Sequence, residues 1–186
     1  MRLIIIFCLA CVCRGEEYFS GVSFHKEVEL HQLLYKWYSG HLRALEELPL
    51  SPKKDTVARY RFTWLRSSDR PVALRIDVME DGSAIFVLKV ADGKGGYEPG
   101  KVVRNENWKL DPQKLKAFKA IFDRAAFFEQ PVAEDAAGVD GSRWLIEANL
   151  NGRYHIVSRW TPRTGAIRDI GLNLINMATA DFSPIY

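Results

Sequence analysis

A chain of 186 residues carries 26 lysines and arginines against 23 aspartates and glutamates, a formal charge of +3. With 47% apolar and 26% charged residues it has the composition of a single folded domain, which excludes a disordered chain, a collagen-like repeat and a polytopic membrane protein. All three cysteines, Cys8, Cys11 and Cys13, lie close to the N-terminus.

The first segment explains the cysteines. Arg2 precedes an uncharged run from Leu3 to Cys13, and Arg14-Gly15 follows. This is the charged-then-apolar pattern of a secretory signal peptide over residues 1–15. The run is too short to span a bilayer, which needs about 20 apolar residues. A lipoprotein leader modified at Cys11 is the alternative: Ala10 precedes that cysteine, but Cys8 stands where a leucine-like residue belongs. Cleavage after Gly15 leaves one domain, residues 16–186, of roughly 171 residues with no thiol and nearly balanced charge. Such a chain has no cysteine nucleophile and no thiolate metal site, and its charge gives no reason to expect nucleic acid as a partner. The expected location is extracytoplasmic, periplasmic or secreted. Membrane contact would come only through a lipid anchor or an uncleaved leader.

Residues 26–48 predict a helix. Leu30, Leu33, Leu34, Trp37, Tyr38, His41, Leu42, Leu45 and Leu48 follow the helical repeat, and Pro49 and Pro52 end it. Gly40 inside that pattern suggests a bend or a close contact. The period then changes to two. Tyr60, Phe62 and Trp64 alternate with Arg59, Arg61 and Thr63; Val72, Leu74, Ile76 and Val78 form a second run; Phe86, Leu88 and Val90 a third. Turn sequences at 67–71 and 80–83 join them into a meander. A Gly-rich loop, 92–100, leads to a fourth strand within 101–108. Asp111-Pro112 reads as the cap and first residue of a second helix, striped by Leu115, Phe118, Ile121 and Phe122. Asn151-Gly152 marks a hairpin between 143–150 and 153–161, and a last helix covers about 166–179. The expected fold is α+β: an antiparallel sheet, built from a meander of three or four strands plus the C-terminal hairpin, with the helices packed on one face.

Chemical signatures are sparse. His25, His31 and His41 are spaced by six and ten residues, which puts them on different sides of a helix and argues against a metal site there. The Gly-rich loop lacks the Gly-Lys-Ser/Thr of a phosphate cradle. The acidic stretch 134–142 has Ala137 and Val139 where a calcium loop needs oxygen ligands. Nucleophile-elbow, Ser-x-x-Lys and His-Glu-x-x-His motifs are missing, and no cofactor is implied. Around Asn151-Gly152 the hairpin register pairs Trp144 with Arg159, Ala148 with His155, Glu147 with Ile156, and Arg143 with Trp160. Glu147 and His155 therefore face opposite sides. Arg143/Trp160 and Trp144/Arg159 are candidate cation–π pairs. Arg143, Trp144, Tyr154, His155, Arg159 and Trp160, with Tyr97 of the Gly-rich loop, form the candidate binding surface, since Trp, Tyr and Arg dominate interface hot spots.

The run Asp140-Gly141-Ser142-Arg143-Trp144-Leu145-Ile146-Glu147, followed by Gly152-Arg153-Tyr154-His155 and Arg159-Trp160-Thr161-Pro162, with Gly165, Arg168 and Gly171-Leu172, resembles a family of uncharacterised bacterial secreted or lipoprotein-like proteins. The resemblance covers roughly the last 50 residues. It implies an extracytoplasmic bacterial protein and no particular activity. The expected function is a non-enzymatic domain that binds a protein or small ligand. The alternatives are a hydrolase whose non-motif site includes His155, and a structural component of the envelope.

Overall fold

The computed structural model describes residues 17–50, 58–134, 138 and 140–186. The leader, and with it the question of lipidation at Cys11, lies outside the described residues, as does part of the acidic stretch.

Ten elements follow in order: α1 (Val28–Ala44), β1 (Ala58–Arg66), β2 (Val72–Val78), β3 (Ala84–Ala91), β4 (Val102–Lys109), α2 (Pro112–Arg124), a 3-10 turn (Phe127–Glu129), β5 (Ser142–Leu150), β6 (Arg153–Trp160) and α3 (Ala166–Met177). The strands form one antiparallel sheet in the order β4-β3-β2-β1-β5-β6. The α+β class and the antiparallel sheet are as the sequence predicts. The two-residue turn of the hairpin has both φ angles positive, 53° at Asn151 and 83° at Gly152, matching the right-handed twist of the strands it joins. The hairpin register is also as predicted, with Trp144 opposite Arg159 and Arg143 opposite Trp160. Asp111 caps α2 through Oδ1, which accepts hydrogen bonds from the Gln113 and Lys114 amides at 2.8 and 3.1 Å. Helix α1 runs past Gly40 without interruption, and nothing packs where a Cβ would stand there. It stops at Ala44, shortly before Glu46 turns left-handed at φ 55°.

The placement of the helices departs from expectation. Tyr60, Phe62, Trp64, Leu74, Ile76, Phe86, Leu88, Trp144 and Ile146 point to one side of the sheet and bury Phe118 and Phe122 of α2 with Ile170 and Leu174 of α3. Helix α1 lies against the other side, where Tyr38 and Leu42 pack on Leu65, Leu145 and Ile156 with Tyr18, Phe19 and Phe24. The helices thus occupy both faces. The physical reason is visible in β1 and β5. Both strands are buried almost end to end, so the residues between the aromatic ones also need a cover.

That second face is apolar only in part. Beyond Leu65 and Leu145 its central residues are Arg61 and Glu147, both fully buried and directly opposite in register. Arg61 grips Glu147 with two parallel bonds of 2.7 Å, from Nε and Nη2, and Tyr154 donates its hydroxyl to the same carboxylate at 2.9 Å. Nη1 of Arg61 reaches Glu47 at 3.3 Å and the Leu48 carbonyl at 2.7 Å. Arg75 and Lys89 close on Glu47 at 2.9 and 3.1 Å. Burial pushes the Glu47 carboxyl up, but Arg61, Arg75 and Lys89 together outweigh it and hold it below its ordinary value. Among the described residues, 45–50 after α1 belong to no strand, and side chains of the sheet and the N-terminal segment bind their carbonyls instead. Lys89 reaches Glu46 O, Tyr18 reaches Glu47 O, and Asn149 reaches Leu50 O.

Candidate binding groove

At one end of the sheet, helix α1, the Gly-rich loop and the far end of the hairpin enclose a groove of about 490 Å3. Leu33 and Trp37 form one wall, Gly96 and Tyr97 another, and Arg143 and Trp160 rise from β5 and β6, with Ser67 between them. Tyr97 and Leu33 are 70% and 63% exposed, two large apolar side chains turned to solvent across the same opening.

The walls are held in place by short-range constraints. Trp37 donates its indole N–H to the Gly95 carbonyl at 2.9 Å, and His41 one turn on lies 3.3 Å from the Lys94 carbonyl. Helix and loop are therefore stapled side by side. The loop itself packs against the end of β1 so closely that a Cβ on Gly95 would stand 2.5 Å from the Arg66 backbone nitrogen. The Gly-rich loop is thus a close-packed support from which Tyr97 projects outward.

His41 is 2% exposed, and its Nδ1 also lies 3.0 Å from the Trp37 carbonyl. A neutral imidazole has one N–H and can bond only one of the two carbonyls; burial nevertheless dominates and lowers its pKa below the ordinary histidine value, against the pull of both carbonyls and Glu98. The unfolded chain therefore takes up a proton near pH 6.5 that the folded chain resists. The stability due to neutral His41 is complete above that pH and is lost as pH falls through the lower folded value. Melting temperature measured from pH 7.5 down to about 5 should fall more steeply for the natural chain than for His41→Gln. Equal slopes would show that His41 does not carry the effect.

Among the described residues Arg143 is the one charged side chain in the groove lining. It is 7% exposed, its Cζ lies 5.2 Å from the Trp160 ring centroid, and its Nε is buried without a hydrogen-bond partner. Among the described residues no carboxylate forms an ion pair with it. Burial pulls its pKa down, with Tyr38 as the opposing influence. The predicted Arg143/Trp160 pair is thus present. A second concavity of about 490 Å3, between β1 and the C-terminal segment, differs in charge balance. There Arg66 donates to the Phe182 carbonyl and lies 4.0 Å from Asp69, and Arg104 is clasped by Glu106 at 2.6 and 2.9 Å.

Three of the seven residues expected to form a binding surface, Tyr97, Arg143 and Trp160, meet in the groove. The other four are placed elsewhere. Trp144 is fully buried on the α2–α3 side; its ring contacts Phe62 and Trp64 at 4.9 and 5.7 Å, and its cation neighbour is Arg168 at 5.8 Å, not Arg159. Arg159 is 6% exposed and ties down the segment covering β6, through the Pro131 carbonyl at 3.0 Å and Glu134 at 3.0 Å. Tyr154 belongs to the buried charge network. His155 faces the opposite side, bonded to the Gln130 carbonyl at 2.8 Å with Phe127 and Phe128 beside it. The corrections to Trp144 and Arg159 share one cause: they alternate with groove residues along their strands, so the pleat sends them to the other face.

Leu33 and Trp37 escaped the sequence reading because they lie on the apolar helix stripe. The stripe is wide enough to hold two rows, Leu33/Trp37 and Leu34/Tyr38/Leu42, and the second row is the one that turns toward the sheet. That width was the available signal.

Among the described residues, no group of three or more His, Cys, Asp or Glu side chains is placed to hold a metal, and no helix is long and apolar enough to cross a membrane. Neither protein-family models nor curated proteins match the chain.

Proposed function

We propose that this chain is an extracytoplasmic bacterial binding domain and that the groove between α1, the Gly-rich loop and the hairpin end is its ligand site. The leader pattern and the thiol-free remainder support the compartment. The observation that carries the binding reading is the convergence of Trp37, Tyr97 and Trp160 with exposed Leu33 around one opening, on walls braced by Trp37 and His41. Concave sites lined by aromatic side chains with few polar groups are the usual form of ligand pockets.

The test uses Tyr97→Ala and Leu33→Ser together. Both side chains are mostly exposed, so the double variant should stay within about 0.5 kcal/mol of the natural chain per substitution. A thermal-shift panel of sugars, amino acids, tripeptides and aromatic acids should contain a compound that raises the melting temperature of the natural chain and not of the variant. Compounds that shift both equally would remove the groove from consideration. Cell fractionation with intact-mass measurement tests the compartment; retention in the cytoplasm at full mass would refute it.

A further inference from the structure

We infer that the groove takes a small carboxylate carried on a flat apolar body, with Arg143 as the carboxylate anchor. This deepens the binding reading and rests on it.

The argument begins with charge. A buried cation is costly unless it is paired, and proteins ordinarily supply the partner. This protein does so elsewhere. Arg61 has Glu147 at 2.7 Å, Arg75 has Glu47 at 2.9 Å, and Arg159 has Glu134 at 3.0 Å. Arg143 is as buried as Arg159, yet among the described residues no carboxylate pairs with it. Its one close ring partner is Trp160, whose quadrupole offsets only part of a full charge. The lowering of its pKa by burial is the same imbalance in another form, although a guanidinium remains protonated at neutral pH. Among the described residues the groove lining adds no other charge. An incoming anion would therefore meet a fork-shaped donor in a partly desolvated setting, where a planar carboxylate is bound more strongly than in water.

The remainder of the lining sets the rest of the ligand. Trp37, Tyr97, Trp160 and Leu33 offer apolar and ring surfaces. The negative faces of the rings repel an anion placed over them, so the carboxylate belongs at Arg143 and the apolar body on the rings. The volume of about 490 Å3 lies within the range of small-molecule sites. An added peptide strand is disfavoured. The outer edge of β6 beside the groove is already covered, with the Ser158 amide bonded to the Val132 carbonyl at 2.6 Å and Ala133 bridged to Ser158.

Isothermal titration with 2-naphthoate and its neutral isostere 2-naphthamide tests the inference. On the natural chain, naphthoate should bind about tenfold or more tightly than naphthamide. Arg143→Gln should erase that preference by weakening naphthoate more than naphthamide, and Tyr97→Ala should weaken both. Equal binding of the two probes by the natural chain would overturn the carboxylate anchor and leave the groove reading intact. Binding of neither probe, together with a silent thermal-shift panel, would overturn both. Should Arg143→Gln fail to fold, the comparison of acid and amide on the natural chain still decides. Capture of a free-acid tripeptide ending in Phe, without any response to naphthoate, would also overturn the small-molecule assignment.

Discussion

Glu147→Ala should cost about 3–5 kcal/mol, because it strands a fully buried guanidinium. Arg61 and Glu147 are both 0% exposed and joined by two 2.7 Å bonds, and Tyr154 donates its hydroxyl to the same carboxylate. Removal of the acid leaves Arg61 with the Leu48 carbonyl at 2.7 Å and a single carboxylate, Glu47 at 3.3 Å, which is already shared with Arg75 and Lys89. Burial pushes the Glu147 carboxyl above its ordinary value, and the pull of Arg61 and Tyr154 offsets only part of that rise. Replacing Arg61, Glu147 and Tyr154 together by apolar side chains should behave differently, since Arg75 and Lys89 still neutralise Glu47. Arg61→Met, Glu147→Leu and Tyr154→Phe together remove both the charges and the orphaned hydroxyl, and should recover most of the loss, since a buried ion pair is often no more stabilising than well-packed hydrocarbon. Urea unfolding of the single and triple variants measures both. A single-variant cost below about 1 kcal/mol would mean that water reaches Arg61 and the network is not closed.

Trp144→Ala should lower stability by a similar amount, about 3–5 kcal/mol, equivalent to roughly 6–20 °C in melting temperature for a chain of this size. The indole fills the junction of β1, β5 and α3. Its N–H bonds Ser142 Oγ at 2.8 Å and the Tyr186 carbonyl at 3.1 Å, and Trp64 reaches the same carbonyl at 3.1 Å, so two buried tryptophans hold the C-terminal segment against the sheet. The opposite change tests the same packing from α3. A Cβ on Gly171 would stand 2.3 Å from Trp144 Cζ3 and 2.5 Å from Cε3, within a rigid ring held on all sides. Gly171→Ala should therefore cost about 1–3 kcal/mol by overpacking, although alanine is the better helix former. Thermal unfolding that leaves Gly171→Ala as stable as the natural chain would show that α3 can shift away from the ring. Neither substitution touches the groove, so neither should abolish ligand binding in the folded protein.

The fold was legible where local physics decides. The alternation along β1 to β3, the Asp111-Pro112 cap and the Asn151-Gly152 turn each specify an element with little help from the rest of the chain, and the hairpin register follows from the turn alone. Half of the groove was legible for the same reason. Once Asn151-Gly152 sets the register, Arg143 must face Trp160. The other half was not. Leu33 and Trp37 share an apolar stripe with residues that are buried, and Tyr97 sits in a loop whose packing depends on Arg66 and Ser67, far away in sequence. The network of Arg61, Glu47, Glu147 and Lys89 is assembled from three strands and the end of α1, and each member by itself looks like an ordinary surface charge.

By itself the sequence determined the element order, the antiparallel class and the pairing within the hairpin. These rest on interactions between residues close in sequence, or on periodicities that need no partner. Only the tertiary structure decided which face each helix covers, which aromatic residues are core and which border a groove, and which buried arginine has no acid partner among the described residues. Such outcomes depend on contacts between distant segments, where a strand's alternating residues go to opposite layers and a helix with two apolar rows can bury only one of them.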